Sequence, residues 1–213
     1  MLNTVISFFQ SGGPFMYPIL LVLAIGLAIS FERYIYLTAA GRSNRKMVKQ
    51  VLPLLEKGEL SEVIGFAKHG KPDTTVSKIL IQGLNSFQSA RRRDDIEASM
   101  EETIMEAIPR LEKRTHYLAM FANIATLLGL LGTIMGLIKA FTAVAQVDPS
   151  MKAEILSTSI SVAMNTTAFG LIVAIPLLIL YTLLQTKTTE IIDSLEMATV
   201  RIVNHLCKIK KTD

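Results

Sequence analysis

The chain has one cysteine, Cys207, and no tryptophan. A single thiol excludes an intrachain disulfide. His69, His116 and His205 are scattered, so no spacing suits a metal centre, and neither metal nor cofactor is expected. No nucleophile–base pair is visible, so no catalytic residue is assigned and an enzyme is not expected. Charge is absent from long tracts: side chains carry none in residues 1–31, in Tyr117–Ile138 or in Ile155–Gln185. No Asp or Glu lies inside any of these apolar runs, which excludes an ion site built from acids of this chain alone.

What is present points to a bilayer. Half of the residues are hydrophobic, and mean hydropathy is +0.42. A membrane span needs about 20 residues at about 1.5 Å each. Three runs reach that length, beginning at Pro14, Tyr117 and Ile155, and the third is long enough to tilt or protrude. The first is read as a retained span and not a secretory signal, because no Lys or Arg precedes it and Glu32-Arg33 follows directly. Tyr17, Tyr34, Tyr36, Tyr117 and Tyr181 take the interfacial role that tryptophan would share.

Orientation follows from the positive charge. Residues 40–115 hold 14 of the 22 Lys and Arg, and the tail adds Arg201, Lys208, Lys210 and Lys211. The positive-inside rule then puts the N-terminus outside and the middle segment and tail in the cytoplasm. The net charge of +4 needs no nucleic acid to explain it. Arg91-Arg92-Arg93 reads as a solvated helix end, with contact to anionic headgroups as the alternative.

The expected fold is an all-α membrane protein with three transmembrane helices and long cytoplasmic helical extensions. Its expected parts are an external N-terminus (1–13), a first span (14–38), a cytoplasmic helical segment (39–115), a second span (116–145), an external turn (146–154), a third span (155–186) and a cytoplasmic C-terminal helix (187–213). Within the cytoplasmic segment, Met47, Val48, Val51, Leu54 and Leu55 recur at helical spacing. Lys57-Gly58-Glu59-Leu60-Ser61 turns the chain, and His69-Gly70-Lys71-Pro72-Asp73 is a loop signal. A helix over Thr74–Gln88 carries Val76, Ile79, Leu80 and Leu84 on one face. Asp94-Asp95 opens an acidic first turn, and the pattern through Ile96, Met100, Ile104, Ile108 and Leu111 runs into the second span, with a kink at Pro109.

Polar residues inside the runs carry the functional reading. On a helical wheel Ala122, Ala125, Thr126, Gly129, Gly132, Thr133, Gly136 and Ala140 share an arc of roughly 120°, opposite Leu127, Leu131, Ile134 and Ile138. Gly132 and Gly136 have GxxxG spacing, so close helix packing accounts for Gly129, Gly132 and Gly136, and also for Gly170. The third run, with Ser157, Ser159, Ser161, Asn165, Thr166 and Thr167, is too polar for a helix that faces lipid alone. Thr126, Thr133, Asn165, Thr166 and Thr167 are therefore candidates for a proton pathway or pore lining. Two helices that offer hydroxyls but no acid suit a charged group brought by another chain.

Ala125–Thr133 (ATLLGLLGT) with Thr166–Pro176 (TTAFGLIVAIP) resembles the MotA/TolQ/ExbB proton-channel family, closest to its ExbB and TolQ members. Gly12-Gly13-Pro14-Phe15-Met16-Tyr17-Pro18-Ile19 and Glu32-Arg33 resemble the start and end of that family's first span. The resemblance implies a ring-forming homo-oligomer, a pentamer, in a bacterial inner membrane. It implies an ExbD/TolR-like partner whose single-span helices each bring an aspartate, with Thr133 and Thr167 lining the cavity. It also implies proton-driven work on the cell envelope, such as TonB-dependent uptake, through a TonB- or TolA-like protein. A non-conducting scaffold is the alternative. One departure stands out: ExbB and TolQ members commonly carry a glutamate about five residues before the threonine matched by Thr167, and here that residue is Val162.

Overall fold

The computed structural model describes Phe9 and residues 12–69, 74–89 and 92–212. These form six helices and, among the described residues, no strand: α1 (Met16–Glu56), α2 (Leu60–His69), α3 (Thr75–Ser89), α4 (Arg93–Glu112), α5 (His116–Val144) and α6 (Lys152–Thr212). Most of the expected external N-terminus, the Gly70–Asp73 loop and Arg91 lie outside the described residues. Three helical stretches, Met16–Glu56, Arg93–Val144 and Lys152–Lys208, are long and apolar enough to cross a membrane. The chain divides into two compact units. The first holds residues up to Glu32 with Arg114–Leu183; the second holds Arg33–Lys113 with residues from Leu184 onward.

In the first unit the large apolar side chains point outward. Leu127, Leu130, Ile134 and Ile138 of α5 are exposed, as are Ile172, Ile175, Ile179 and Leu183 of α6 and Leu20, Leu21 and Phe31 of α1. Contact with water would be unfavourable by about 25 cal/mol for each Å² of such surface; contact with lipid tails is not. Small residues face inward instead: Ala122, Ala125, Gly129, Gly132 and Ala140 of α5 are buried. Gly26 brings α1 against α6, since a Cβ there would stand 2.6 Å from Leu177 Cδ2.

The second unit has an ordinary apolar core. Val51 and Leu55 of α1, Val63 and Ala67 of α2, and Val76, Ile79, Leu80 and Leu84 of α3 are buried. So are Ile96, Met100, Ile104 and Leu111 of α4, and Ile191, Leu195, Ile202 and Leu206 of α6. Gly58, at φ +76°, makes the turn into α2. Ser77 donates from α3 to the Ala67 carbonyl at 2.7 Å. A Cβ on Gly83 would collide with Met100 Sδ at 2.6 Å, so α3 and α4 lie close together there.

The helix ahead of the second span differs from expectation. It passes through Pro109 and ends at Glu112; the interruption falls at Lys113–Thr115, with Arg114 at φ +64°. The cause lies on α1. The buried guanidinium of Arg33 donates through Nη2 to the carbonyl of Leu111 and, at 3.4 Å, to that of Arg110. Continuing the helix would have given those carbonyls to the amides of Thr115 and Arg114. A cation at a helix C-terminus also opposes the negative end of its dipole. The Arg33 guanidinium carbon lies 4.8 Å from the Tyr36 ring centroid, and Glu32 pairs with Arg114 at 3.2 Å.

Candidate functional site

Two glycines bring α5 and α6 together. A Cβ on Gly170 would stand 2.7 Å from the Ala125 carbonyl oxygen and 3.1 Å from Gly129 Cα. A Cβ on Gly129 would stand 3.2 Å from Thr167 Cα. With backbone against backbone, a short side chain on one helix can reach a carbonyl on the other. Thr167 does so, donating to the Gly129 carbonyl at 2.9 Å. Thr133, one turn along α5, contacts the same carbonyl at 3.1 Å. The two hydroxyl oxygens are 2.5 Å apart.

Three short contacts are thus served by two hydroxyl protons. One proton suffices for Gly129, and the other can join the two hydroxyls or turn towards an incoming group. Both threonines are partly buried in an open groove between α5 and α6. Its walls are Leu130, Ile134 and Leu137 from α5 and Met164, Ala168 and Leu171 from α6. The groove therefore offers two adjustable hydroxyls in apolar surroundings, a setting that strengthens a hydrogen bond to a carboxylate by excluding water.

The remaining sequence candidates do not line this groove. Thr166 is buried and faces elsewhere, donating to the Gly12 carbonyl at 2.5 Å and to Val162 at 3.0 Å. Its methyl group occupies the space that a Cβ on Gly132 would need. Thr126 is exposed and contacts the Ala122 carbonyl at 3.1 Å. Asn165 is half-buried and is not among the groove residues. Gly136 lets Ala163 approach: a Cβ on Gly136 would stand 2.8 Å from Ala163 Cβ. Val162 lies beside the Gly12–Gly13 turn, its Cγ1 3.3 Å from where a Gly13 Cβ would be.

Reading the polar residues alone missed the groove walls and the Gly12 carbonyl. The walls did leave a signal: 130, 134, 137 and 164, 168, 171 are both i, i+4, i+7 series, each of which places its members on one face. Gly12 left none, because a carbonyl's partner cannot be inferred from residue type.

Comparison with known proteins agrees with this architecture. The sequence pattern of the MotA/TolQ/ExbB proton channel family matches residues 71–197. A putative biopolymer transport protein ExbB homolog from Methanothermobacter thermautotrophicus is 31% identical over 92% of this chain and 68% of its own length. A putative biopolymer transport protein ExbB-like 1 from Synechocystis is 27% identical over 87% of this chain and 72% of its own. The biopolymer transport protein ExbB of Salmonella typhimurium is 25% identical over 64% of this chain and 59% of its own. The chain is a membrane protein of general ExbB/TolQ type, and it belongs to the MotA/TolQ/ExbB proton channel family.

Proposed function

We propose that copies of this chain form a pentameric ring in a bacterial inner membrane, N-terminus outside and C-terminus cytoplasmic, around single-span helices of an ExbD/TolR-like partner. The ring acts as the stator of a proton-driven motor that works on the cell envelope, through a TonB- or TolA-like protein. It has no enzymatic role. The observation that carries the reading is the Thr133–Thr167 hydroxyl pair, 2.5 Å apart in an apolar groove, in a chain without an acid in its apolar runs. A partner aspartate, ionised, accepts hydrogen bonds from these hydroxyls; protonated, it can leave them and pass apolar surface. Burying the charged form is the unfavourable step, so protonation controls movement.

A specific observation also favours a scaffold: both hydroxyls already have the Gly129 carbonyl as partner, which is what a purely structural threonine pair needs. The double variant Thr133→Ala/Thr167→Ala separates the two readings. Conduction predicts a complex that still co-purifies with its partner but loses proton-driven uptake by about 100-fold or more, the lower end of what a positioned proton-transfer group contributes. Unchanged uptake by an intact complex would leave the scaffold reading.

A further inference from the structure

The second unit carries two opposite charge ladders on different faces. One lines a cleft of about 680 Å³ between α1 and α6, where Arg42, Arg45, Lys187 and Arg201 gather with a single carboxylate, Glu190. Lys187 donates to Thr38 Oγ1 at 2.5 Å and lies over the Tyr34 ring; among the described residues, Arg42, Arg45 and Arg201 form no ion pair. The other ladder is the outer face of α4. Ile96, Met100 and Ile104 turn inward, leaving Asp95, Glu101 and Glu102 exposed on the remaining surface, with Glu106 exposed at its edge, in a groove that Lys78 and Arg110 also line. None of these four is in an ion pair among the described residues. Met105 stands among them, 67% exposed, an apolar side chain left uncovered on an acidic face.

The ladders match in height. Arg33 ties its level of α1 to the end of α4, while Thr38–Lys187 and Gly41–Ile191 contacts set α1 and α6 parallel. At the far end Arg93 donates to Asn204 Oδ1 at 2.9 Å. Counting from Arg33 at about 1.5 Å per residue, Lys187, Arg42, Arg45 and Arg201 stand at about 6, 14, 18 and 27 Å, and Glu106, Glu102, Glu101 and Asp95 at about 7, 13, 14 and 23 Å.

We propose that the acidic face of α4 on one copy docks on the basic α1–α6 cleft of the next copy, as a repeated head-to-tail interface. Copies related by rotation about an axis along the helices keep these heights, so each carboxylate meets a cation at its own level. Such a heterologous contact gives a ring where the rotation closes, and the inference rests on the ring reading above. Lipid headgroups are a poorer occupant. The headgroup layer of one leaflet is only about 5–8 Å deep, enough to reach Lys187 at the end of the apolar run but not Arg45 or Arg201.

The test uses the full chain with Cys207→Ser, co-expressing differently tagged copies that carry either Arg42→Cys or Glu102→Cys. A disulfide or short bifunctional reagent should link the Arg42→Cys copy to the Glu102→Cys copy, and should not link two Glu102→Cys copies. In parallel, Glu101→Arg/Glu102→Arg and Arg42→Glu/Arg45→Glu should each weaken self-association at least tenfold, and combining them should restore it. Oligomers that form without the mixed cross-link, or resist both charge reversals, overturn this interface while leaving the ring. Monomers only, with the unaltered chain, overturn the ring as well. Loss of phosphatidylglycerol co-purification in Arg42→Glu/Arg45→Glu, with assembly intact in Glu101→Arg/Glu102→Arg, identifies a lipid cleft and overturns the proposal.

Discussion

One methyl group has opposite consequences at different glycines. At Gly170 the added Cβ meets backbone, the Ala125 oxygen at 2.7 Å and Gly129 Cα at 3.1 Å, and backbone cannot rotate aside. Gly170→Ala should therefore push α5 and α6 apart and destabilise the chain by about 1–3 kcal/mol, read as a lower midpoint in detergent unfolding. Gly65 lies within α2 with nothing inside 4 Å of the same added atom. Gly65→Ala should raise stability by about 0.5–1 kcal/mol through helix propensity alone. If both variants shift the midpoint in the same direction, space around the Cβ is not what decides. GxxxG spacing drew attention to Gly132 and Gly136 in the sequence. The tightest backbone approach at a glycine is instead that of Gly170 to Ala125 and Gly129 of the other helix, and periodicity along one helix carries no information about which residue of another will face it.

The interruption between α4 and α5 shows how an element boundary can be set from a distance. Pro109 was the visible signal, and the helix runs through it. The carbonyls of Arg110 and Leu111 are instead taken by a guanidinium more than seventy residues earlier in the chain. Arg33→Met should remove those charge-assisted bonds, lower stability by about 2 kcal/mol, and raise hydrogen exchange at residues 110–115. Arg33→Lys should recover only part of this: an ammonium keeps enough donors for both carbonyls, but it lacks the planar guanidinium that lies near the Tyr36 ring. Glu32→Gln should matter far less, because the Glu32–Arg114 pair is about half exposed on both sides and such pairs contribute about 0–1 kcal/mol. Most other elements were legible because a 3.6-residue apolar period marks them: α3 buries the residues its sequence sets on one face, and α6 continues without a break from Lys152 to Thr212. Long-range capping has no periodic signature, so the interruption at Lys113–Thr115 was not legible in the apolar pattern.

Across the chain as a whole, the apolar runs hold hydroxyls and no acid. Threonine hydroxyls donate and accept but do not ionise near neutral pH. The part of the site that belongs to this chain was legible as residue types, yet Thr166 and Thr167 face different neighbours: adjacent residues on a helix differ by about 100°, and the contact of Thr166 with Gly12 depends on how the chain folds back. What the groove lacks follows directly from its lining of two hydroxyls and six apolar side chains. A lone proton there would be a desolvated charge without a base to hold it. Vesicles containing only the purified chain should therefore pass protons no faster than empty vesicles under an imposed potential of about 100 mV, which supplies about 2.3 kcal/mol per charge. Adding a single-span partner that carries a membrane aspartate should raise the flux at least tenfold, and changing that aspartate to asparagine should return it to the empty-vesicle level. Full flux from the chain alone would mean that a continuous water path, and not a visiting carboxylate, carries the proton, and the hydroxyl pair would then be a packing feature.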